Sequence, residues 1–200
     1  MPHIILLGDS IFDNSTYVHP APDVVAQLQK MLPAGWKASL RAVDGSVAGN
    51  VAGQLARLPS DATHLVLSVG GNDLLNRSEE MLHTPVTMSS EVFLLLAGVI
   101  DAFDSSYRRA VEACLVRDLP LTVCTIYNGN FADPEFQTMA RVAVTAFNDV
   151  ILRVALEKGL RAIDLRMVCA APEDYANPIE PSAVGGEKIA RAVWRVISSA

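Results

Sequence analysis

A serine, a glycine and an asparagine follow three separate apolar segments of the sequence, and together they have the groups that acyl transfer needs. Ser10 comes shortly after Gly8, which lets the backbone turn sharply, so the Ser10 hydroxyl can be exposed as a nucleophile. Gly45 can offer its backbone N–H to a developing oxyanion, and Asn72 can offer its side-chain amide. Each such donor stabilises the transition state by roughly 3–4 kcal/mol. The three residues predict nucleophilic catalysis at Ser10.

Five apolar segments rich in β-branched residues predict the strands that position these groups. Their nearly continuous apolar character is typical of strands buried on both faces of a parallel sheet. Segments with helical periodicity separate them, and long helices are predicted over 89–117, 134–158 and 184–197. The alternation predicts an α/β fold with three layers, α/β/α, around a five-stranded parallel sheet. The predicted strands are 3–7, 38–43, 64–69, 121–126 and 160–165.

The predicted sheet also gives the three residues a common location. The carboxyl ends of parallel strands meet at one edge of the sheet, and ligands of open α/β proteins bind there. Ser10, Gly45 and Asn72 each follow a predicted strand, so we expect them to meet at this edge. The segment 74–88 after the third strand is predicted to be a long loop on the same side.

Composition and charge exclude several classes of protein. The 200 residues include 16 Lys and Arg against 22 Asp and Glu, a net charge of −6, which leaves no surplus of cations for binding nucleic acid. The longest apolar run, 93–100, is too short to span a bilayer, and residues 3–7 lack the basic flank of a signal peptide. Three cysteines without C-x-x-C spacing predict a reduced, cytoplasmic protein without metal or cofactor. We expect one domain over 1–200 and no membrane partner.

Two short motifs, Gly8-Asp9-Ser10-Ile11 and Gly70-Gly71-Asn72-Asp73, stand on either side of Gly45. With these pieces the chain resembles the GDSL or SGNH hydrolases, a family of esterases, lipases and acylhydrolases, over essentially its whole length. The resemblance implies the flavodoxin-like SGNH fold and a small ester or acyl substrate. It also implies that Ser10 forms an acyl-enzyme, and that Ser10 N–H, Gly45 N–H and the Asn72 side chain form the oxyanion hole.

The C-terminal part departs from the family pattern. The family has D-x-x-H there, which supplies a histidine base and its aspartate partner, whereas this chain has Asn177-Pro178-Ile179-Glu180 and no histidine after His83. Glu180 is therefore predicted to accept the Ser10 proton. The ordinary glutamate pKa of about 4.3 lies roughly two units below that of histidine. Unless burial raises the pKa of Glu180, this difference costs about 3 kcal/mol of the driving force for proton transfer. Hydrolysis is expected to be measurable but slow.

Two histidines remain open as alternative bases. His19 lies in the segment after Ser10, and His83 lies in the predicted loop 74–88, so both are on the side of the sheet where Ser10 is expected. His3 and His64 begin predicted strands and are expected to be scaffold residues at the opposite edge.

Other polar residues are expected to orient or brace the site. Asp174 and Asn177 lie close enough in sequence to Glu180 to hydrogen-bond it, and Gly49 is an alternative to Gly45 as oxyanion donor. The expected bracing residues are Asp9 and Asp73.

Two functions therefore remain open. The first is a serine hydrolase of small esters with Glu180 as an atypical base. The second is a catalytically weak or silent protein of the same fold that binds an acyl or carbohydrate ligand. Retention of all three oxyanion donors favours hydrolysis.

Overall fold

The computed structural model describes residues 1–199 and is built on one sheet of five parallel strands. The strands are β1 (His3–Gly8), β2 (Lys37–Leu40), β3 (His64–Ser68), β4 (Leu121–Cys124) and β5 (Arg161–Ile163). They lie in the order β2-β1-β3-β4-β5. In the register of the central strands, Ile4 pairs with Ala38 on one side and His64 on the other. The predicted fold class and all five strands are confirmed, although β2, β3, β4 and β5 are shorter than predicted.

Helices connect the strands. Within residues 1–199 they are α1 (Ser15–Val18), α2 (Val24–Met31), α3 (Val51–Leu55), α4 (Gly71–His83), α5 (Ser89–Leu115), α6 (Pro134–Lys158), α7 (Leu165–Val168) and α8 (Ala183–Ser198). The three long helices predicted from periodicity are confirmed as α5, α6 and α8. In α6, the Asp133 side chain caps the first turn and Gly159 ends the helix in a left-handed conformation. No helix in this part of the chain is long and apolar enough to cross a bilayer.

The sheet is covered by helices on both faces. Alternate residues of β1 point to opposite sides, so Ile4 and Leu6 pack with α2 and α8, whereas Ile5 and Leu7 pack with α3, α5 and α6. All four side chains are fully buried, and each such burial contributes about 1.5–3 kcal/mol. This two-sided burial is the reason that the strands read as continuous apolar runs.

The chain after β3 corrects one prediction, because α4 occupies most of the segment 74–88 that was predicted to be a loop. Leu74, Ser78 and Met81, spaced by four and three residues, line the same cavity from this helix. This helical spacing is present in the sequence. However, Gly70 and Gly71 precede it and most residues of the segment are polar, and both features are typical of a loop. The error arose because one apolar face, packed against α5 and α6, is enough to hold a helix.

Candidate active site

The end of β1 is fixed by a close approach of two strands. Gly8 has a φ of +123°, and a Cβ there would lie 1.7 Å from the carbonyl oxygen of Ser68 in β3. The next residue, Asp9, donates its backbone N–H to the same oxygen at 3.1 Å. Only glycine fits such a contact, so the sequence Gly8-Asp9-Ser10 places the serine directly at the carboxyl edge of the sheet.

A tight turn then presents Ser10. The Asp9 carbonyl accepts the N–H of Phe12 at 3.2 Å and of Asp13 at 3.1 Å, and the Asp9 side chain accepts the N–H of Ile11 at 3.2 Å. The Ser10 N–H has no acceptor within residues 1–199, although Ser10 is only 6% exposed. A buried N–H without a partner is rare. This one is therefore available to an oxyanion.

Glu180 lies directly against the serine. The Ser10 hydroxyl donates to Glu180 Oε1 at 3.1 Å across 170 positions of sequence. The Asn177 side chain accepts the backbone N–H of Ile179 at 2.9 Å and of Glu180 at 3.0 Å. The Tyr127 hydroxyl donates to the carbonyl of Ile179 at 2.6 Å. Asn177 thus holds the backbone of the loop that carries the carboxyl, rather than the carboxyl itself.

Burial changes the acidity of the Glu180 carboxyl. Its side chain is 6% exposed, and desolvation raises its pKa to about 7. The hydrogen bond from Ser10 lowers this pKa in part, and the negative charge of Asp44 raises it further. Oε2 of Glu180 has no hydrogen-bond partner in the described part of the chain. The carboxyl therefore titrates near neutrality and keeps one oxygen free.

The other predicted oxyanion donors lie in the loop after β2 and in the first turn of α4. Gly45 has a φ of +76°, and its N–H has no acceptor within residues 1–199. The Asn72 amide donates one N–H to the Ser46 carbonyl at 3.0 Å, which leaves its second N–H free. Asp73 accepts the N–H of Ala48 at 2.9 Å and so joins the loop after β2 to the start of α4. Gly49 lies in the short 3-10 turn Ala48–Asn50 that follows.

The sequence analysis missed Gln54, whose side chain joins the end of β1 to the loop after β2. Its amide oxygen accepts the Gly8 N–H at 2.8 Å and its amide nitrogen donates to the Gly8 carbonyl at 2.7 Å. The same nitrogen lies 3.3 Å from the hydroxyl of Ser46. Gln54 is 3% exposed in α3, beside Leu55. A glutamine on the apolar face of a short helix was the signal that could have found it.

Asp9 is buried beneath the turn. It is 3% exposed, and desolvation raises its pKa to about 8 against the opposing hydrogen bond from Ile11. The charges of Glu180 and Asp73 raise it further. Burial therefore favours the neutral form of the Asp9 carboxyl, which holds the turn by accepting the Ile11 N–H.

An apolar cavity of about 150 Å³ opens beside Ser10 and Glu180, between α4 and α6. Ser10, Asn72 and Glu180 line one end of it. The remaining wall is almost entirely apolar and includes Leu74, Leu75, Met81, Ile126, Phe131, Phe136, Met139, Val144 and Ile179. A cavity of this lining accommodates a hydrocarbon group next to the serine.

The other candidate bases singled out in the sequence are not hydrogen-bonded to Ser10, whose hydroxyl donates to Glu180. His19 and His83 are exposed and make no hydrogen bond to Ser10, and His83 ends α4 rather than lying in a loop. Asp174 is fully buried, accepts the N–H of Ala171 at 3.0 Å and pairs with Lys188 at 2.6 Å.

The two strand-initial histidines lie at the opposite edge of the sheet, as expected. His3 is hydrogen-bonded to Asp61 at 2.9 Å and to Ser39 at 2.8 Å. His64 is hydrogen-bonded to Thr63 at 2.8 Å.

The raised pKa of Glu180 predicts a pH-dependent cost to stability. Because the folded pKa of about 7 exceeds the ordinary value of 4.5, the unfolded chain releases this proton first as the pH rises. The free energy of unfolding should therefore fall by roughly 3 kcal/mol as the pH rises from about 4.5 to 7. Glu180→Gln should unfold at higher urea concentration than the native chain at pH 8, with a much smaller difference at pH 5. Glu173→Gln, an exposed carboxyl in the same loop, should show no such pH dependence. An equal difference at both pH values would contradict this account.

Comparison with known proteins identifies the family of the chain and relates its fold to solved structures. The family model for the GDSL-like lipase/acylhydrolase family matches residues 6–187. A search of curated protein sequences finds no match. Solved structures share the fold at low identity. A member of the lipolytic protein G-D-S-L family from Veillonella parvula has 15% identity and a TM-score of 0.73, with all of both chains covered. An extracellular lipase from Streptomyces rimosus has 18% identity and a TM-score of 0.71, again over both whole chains.

A third structure, of a mutant acetyl-xylooligosaccharide esterase from Geobacillus, has 17% identity and a TM-score of 0.65. The match covers 98% of this chain and 93% of that one. At such identities the structures establish the fold alone, whereas the family match extends over most of the sequence. By its fold and by this match, the chain belongs to the GDSL-like lipase/acylhydrolase family.

Proposed function

We propose that the protein is a serine ester hydrolase in which Ser10 is the nucleophile and Glu180 the general base. The observation that carries the proposal is the 3.1 Å hydrogen bond from the Ser10 hydroxyl to Glu180 Oε1, at the end of an apolar cavity. A nucleophile and base within hydrogen-bond reach, beside unoccupied N–H donors, is the arrangement that acyl transfer requires.

The reaction proceeds through an acyl-enzyme. Glu180 Oε1 takes the proton of the Ser10 hydroxyl as Oγ attacks the ester carbonyl carbon, and the carbonyl π electrons move onto its oxygen. The N–H groups of Ser10, Gly45 and Asn72 stabilise that oxyanion. When the intermediate collapses, the C–O bond to the alcohol breaks and Glu180 returns the proton to the leaving oxygen. Water then repeats the sequence on the acyl-enzyme and releases the acid.

Burial explains how a glutamate serves in the place of a histidine. A base works best when its pKa lies near the working pH, and the pKa of Glu180 is raised to about 7. The raised pKa restores the driving force for proton transfer that a glutamate with an ordinary pKa lacks. Asn177 is a neutral amide and therefore cannot act as a charged partner of the base. Its side chain accepts the backbone N–H of Glu180 at 3.0 Å and so fixes the loop.

The cavity indicates which part of the substrate it binds. Its walls between α4 and α6 offer almost no polar group away from the Ser10 end. The acyl group of the ester fits this lining, and apolar burial there supports binding by about 25 cal/mol per Å² covered. A carbohydrate acyl acceptor would have to lie outside the cavity.

Substitution of Ser10 tests the proposal directly. Ser10→Ala should abolish hydrolysis of p-nitrophenyl esters from acetate to octanoate and should abolish labelling by a fluorophosphonate, because no other group takes the nucleophile's place. The losses should exceed roughly 10³-fold in kcat/KM.

Ser39→Ala is the matched control for this experiment. Ser39 is hydrogen-bonded to a histidine that contacts an aspartate, but it lies in the middle of β2, where it pairs with Ile5 of β1. This variant should hydrolyse and label like the native protein. If the native protein, like Ser10→Ala, hydrolysed none of the esters and was not labelled by the fluorophosphonate, the catalytically silent, ligand-binding function would replace the proposal.

A further inference from the structure

The side chain of Gln54 is hydrogen-bonded to both backbone groups of Gly8, at the end of β1. Its amide oxygen accepts the Gly8 N–H at 2.8 Å, and its amide nitrogen donates to the Gly8 carbonyl at 2.7 Å. Val51 and Leu55 lie on the same face of α3 and are buried in the core against β1, so the helix has little freedom to move. Gln54 therefore fixes the backbone two residues before Ser10.

The same side chain also reaches the loop after β2. The Gln54 amide nitrogen lies 3.3 Å from the hydroxyl of Ser46, which it can donate to. The Ser46 carbonyl in turn accepts the side-chain N–H of Asn72 at 3.0 Å. Because Ser46 directly follows Gly45, this short network touches every segment that carries a proposed oxyanion donor, the turn of Ser10 included.

A second buried amide in the fold provides a comparison. Asn148 in α6 is fully buried, accepts the N–H of Ile126 at 2.7 Å and donates to the Ile126 carbonyl at 2.7 Å. Within residues 1–199, both of its hydrogen bonds go to this one residue beyond β4. Gln54 makes the same two bonds to Gly8 and adds the contact with Ser46. Pairing the backbone of Gly8 does not require that third contact, which instead joins two parts of the site.

We propose that Gln54 is a positioning residue, which holds the Ser10 N–H and the Asn72 amide at the separation needed to bind one substrate oxygen. This inference rests on the proposed hydrolase function. Oxyanion donors act when they lie about 2.7–3.1 Å from that oxygen in the transition state, and a displacement of about 1 Å costs about 10²-fold in rate. Gln54 does not line the acyl cavity, so its loss should lower kcat and leave KM nearly unchanged.

Gln54→Met tests this role, because methionine has a similar length and removes all three hydrogen bonds. For p-nitrophenyl acetate, kcat per folded molecule should fall about 30- to 100-fold, and KM should stay within about threefold of the native value. The inflection of the pH profile near 7 should not move, because burial, Ser10 and Asp44, which set the pKa of Glu180, are all retained. A loss of packing alone would lower the folded fraction instead.

Asn148→Leu is the matched control. It also replaces a buried amide by an apolar side chain and leaves the backbone groups of a strand end without their partners, so both variants should unfold at lower urea concentration. The kcat of Asn148→Leu per folded molecule should stay within about threefold of the native value. Equal losses of kcat in the two variants, or a native kcat in Gln54→Met, would overturn the inference.

Ser46→Ala tests the third contact by itself and keeps the inference falsifiable if Gln54→Met does not fold. It removes the hydroxyl near Gln54 and leaves the Ser46 carbonyl that accepts from Asn72. We expect kcat to fall about fivefold with KM unchanged, the effect of one neutral hydrogen bond. A kcat equal to that of the native protein would show that Gln54 does not couple the two segments.

NMR spectra separate this inference from the hydrolase proposal, because they do not depend on turnover. The signals of the Ser10 backbone N–H and the Asn72 side-chain amide should shift in Gln54→Met and remain in place in Asn148→Leu. If the native protein hydrolyses no ester but these signals shift, the hydrolase proposal fails and the positioning role stands. If Ser10 hydrolyses esters while both the signals and kcat are unchanged in Gln54→Met, the positioning role alone is overturned.

Discussion

Replacement of Glu180 by glutamine should lower kcat/KM for ester hydrolysis by roughly 10²- to 10⁴-fold, the usual contribution of a general base. Glutamine has the same shape, and its amide oxygen can still accept the Ser10 hydroxyl that lies 3.1 Å from Oε1. It cannot take up the proton. The native activity should rise about tenfold per pH unit below pH 7 and level off above it, because only the ionised carboxylate acts as a base and its pKa is about 7.

The pH profile separates a catalytic loss from a structural one. The residual activity of Glu180→Gln should show no inflection near pH 7, and the variant should remain folded with an unchanged circular dichroism spectrum. Asp44→Asn should move the native inflection to lower pH, since Asp44 raises the pKa of Glu180. An unaltered kcat/KM in Glu180→Gln, with loss of activity in His19→Ala or His83→Ala, would assign the base elsewhere.

Gly8→Ala should destabilise the fold by at least about 4 kcal/mol, the upper range for single substitutions. The new Cβ would lie 1.7 Å from the Ser68 carbonyl oxygen, and the φ of +123° is a conformation that side chains rarely adopt. The backbone of β3 cannot yield without breaking its hydrogen bond to Asp9. Urea unfolding followed by fluorescence should show the loss, or the variant should fail to accumulate as folded protein.

Gly98→Ala is the matched control for this substitution. Gly98 lies exposed within α5, and a Cβ there meets no atom within 4 Å. Alanine should stabilise the helix by up to about 1 kcal/mol. If Gly8→Ala unfolded at the same urea concentration as Gly98→Ala, the close approach of β1 and β3 would not be the constraint described here.

Local features of the sequence were sufficient for the layers of the fold and for the location of the serine. Continuous apolar runs identify strands buried on both faces, and the order of strands and helices places Ser10, Gly45 and Asn72 at one edge. The helix α4 was missed, because its few apolar residues form only one face and its partners α5 and α6 come later in the chain.

The sequence by itself determined which residues follow the strands, since the alternation of strands and helices and the glycine at the end of β1 are encoded within a few neighbouring positions. Only the tertiary structure decided what those residues can do. The pKa of Glu180 near 7, the effect of the Asp44 charge on that pKa and the buried hydrogen bonds of Gln54 to Gly8 depend on groups far apart in sequence. Desolvation and charge interaction sum over everything that packs around an atom, and that sum exists only after the chain has folded.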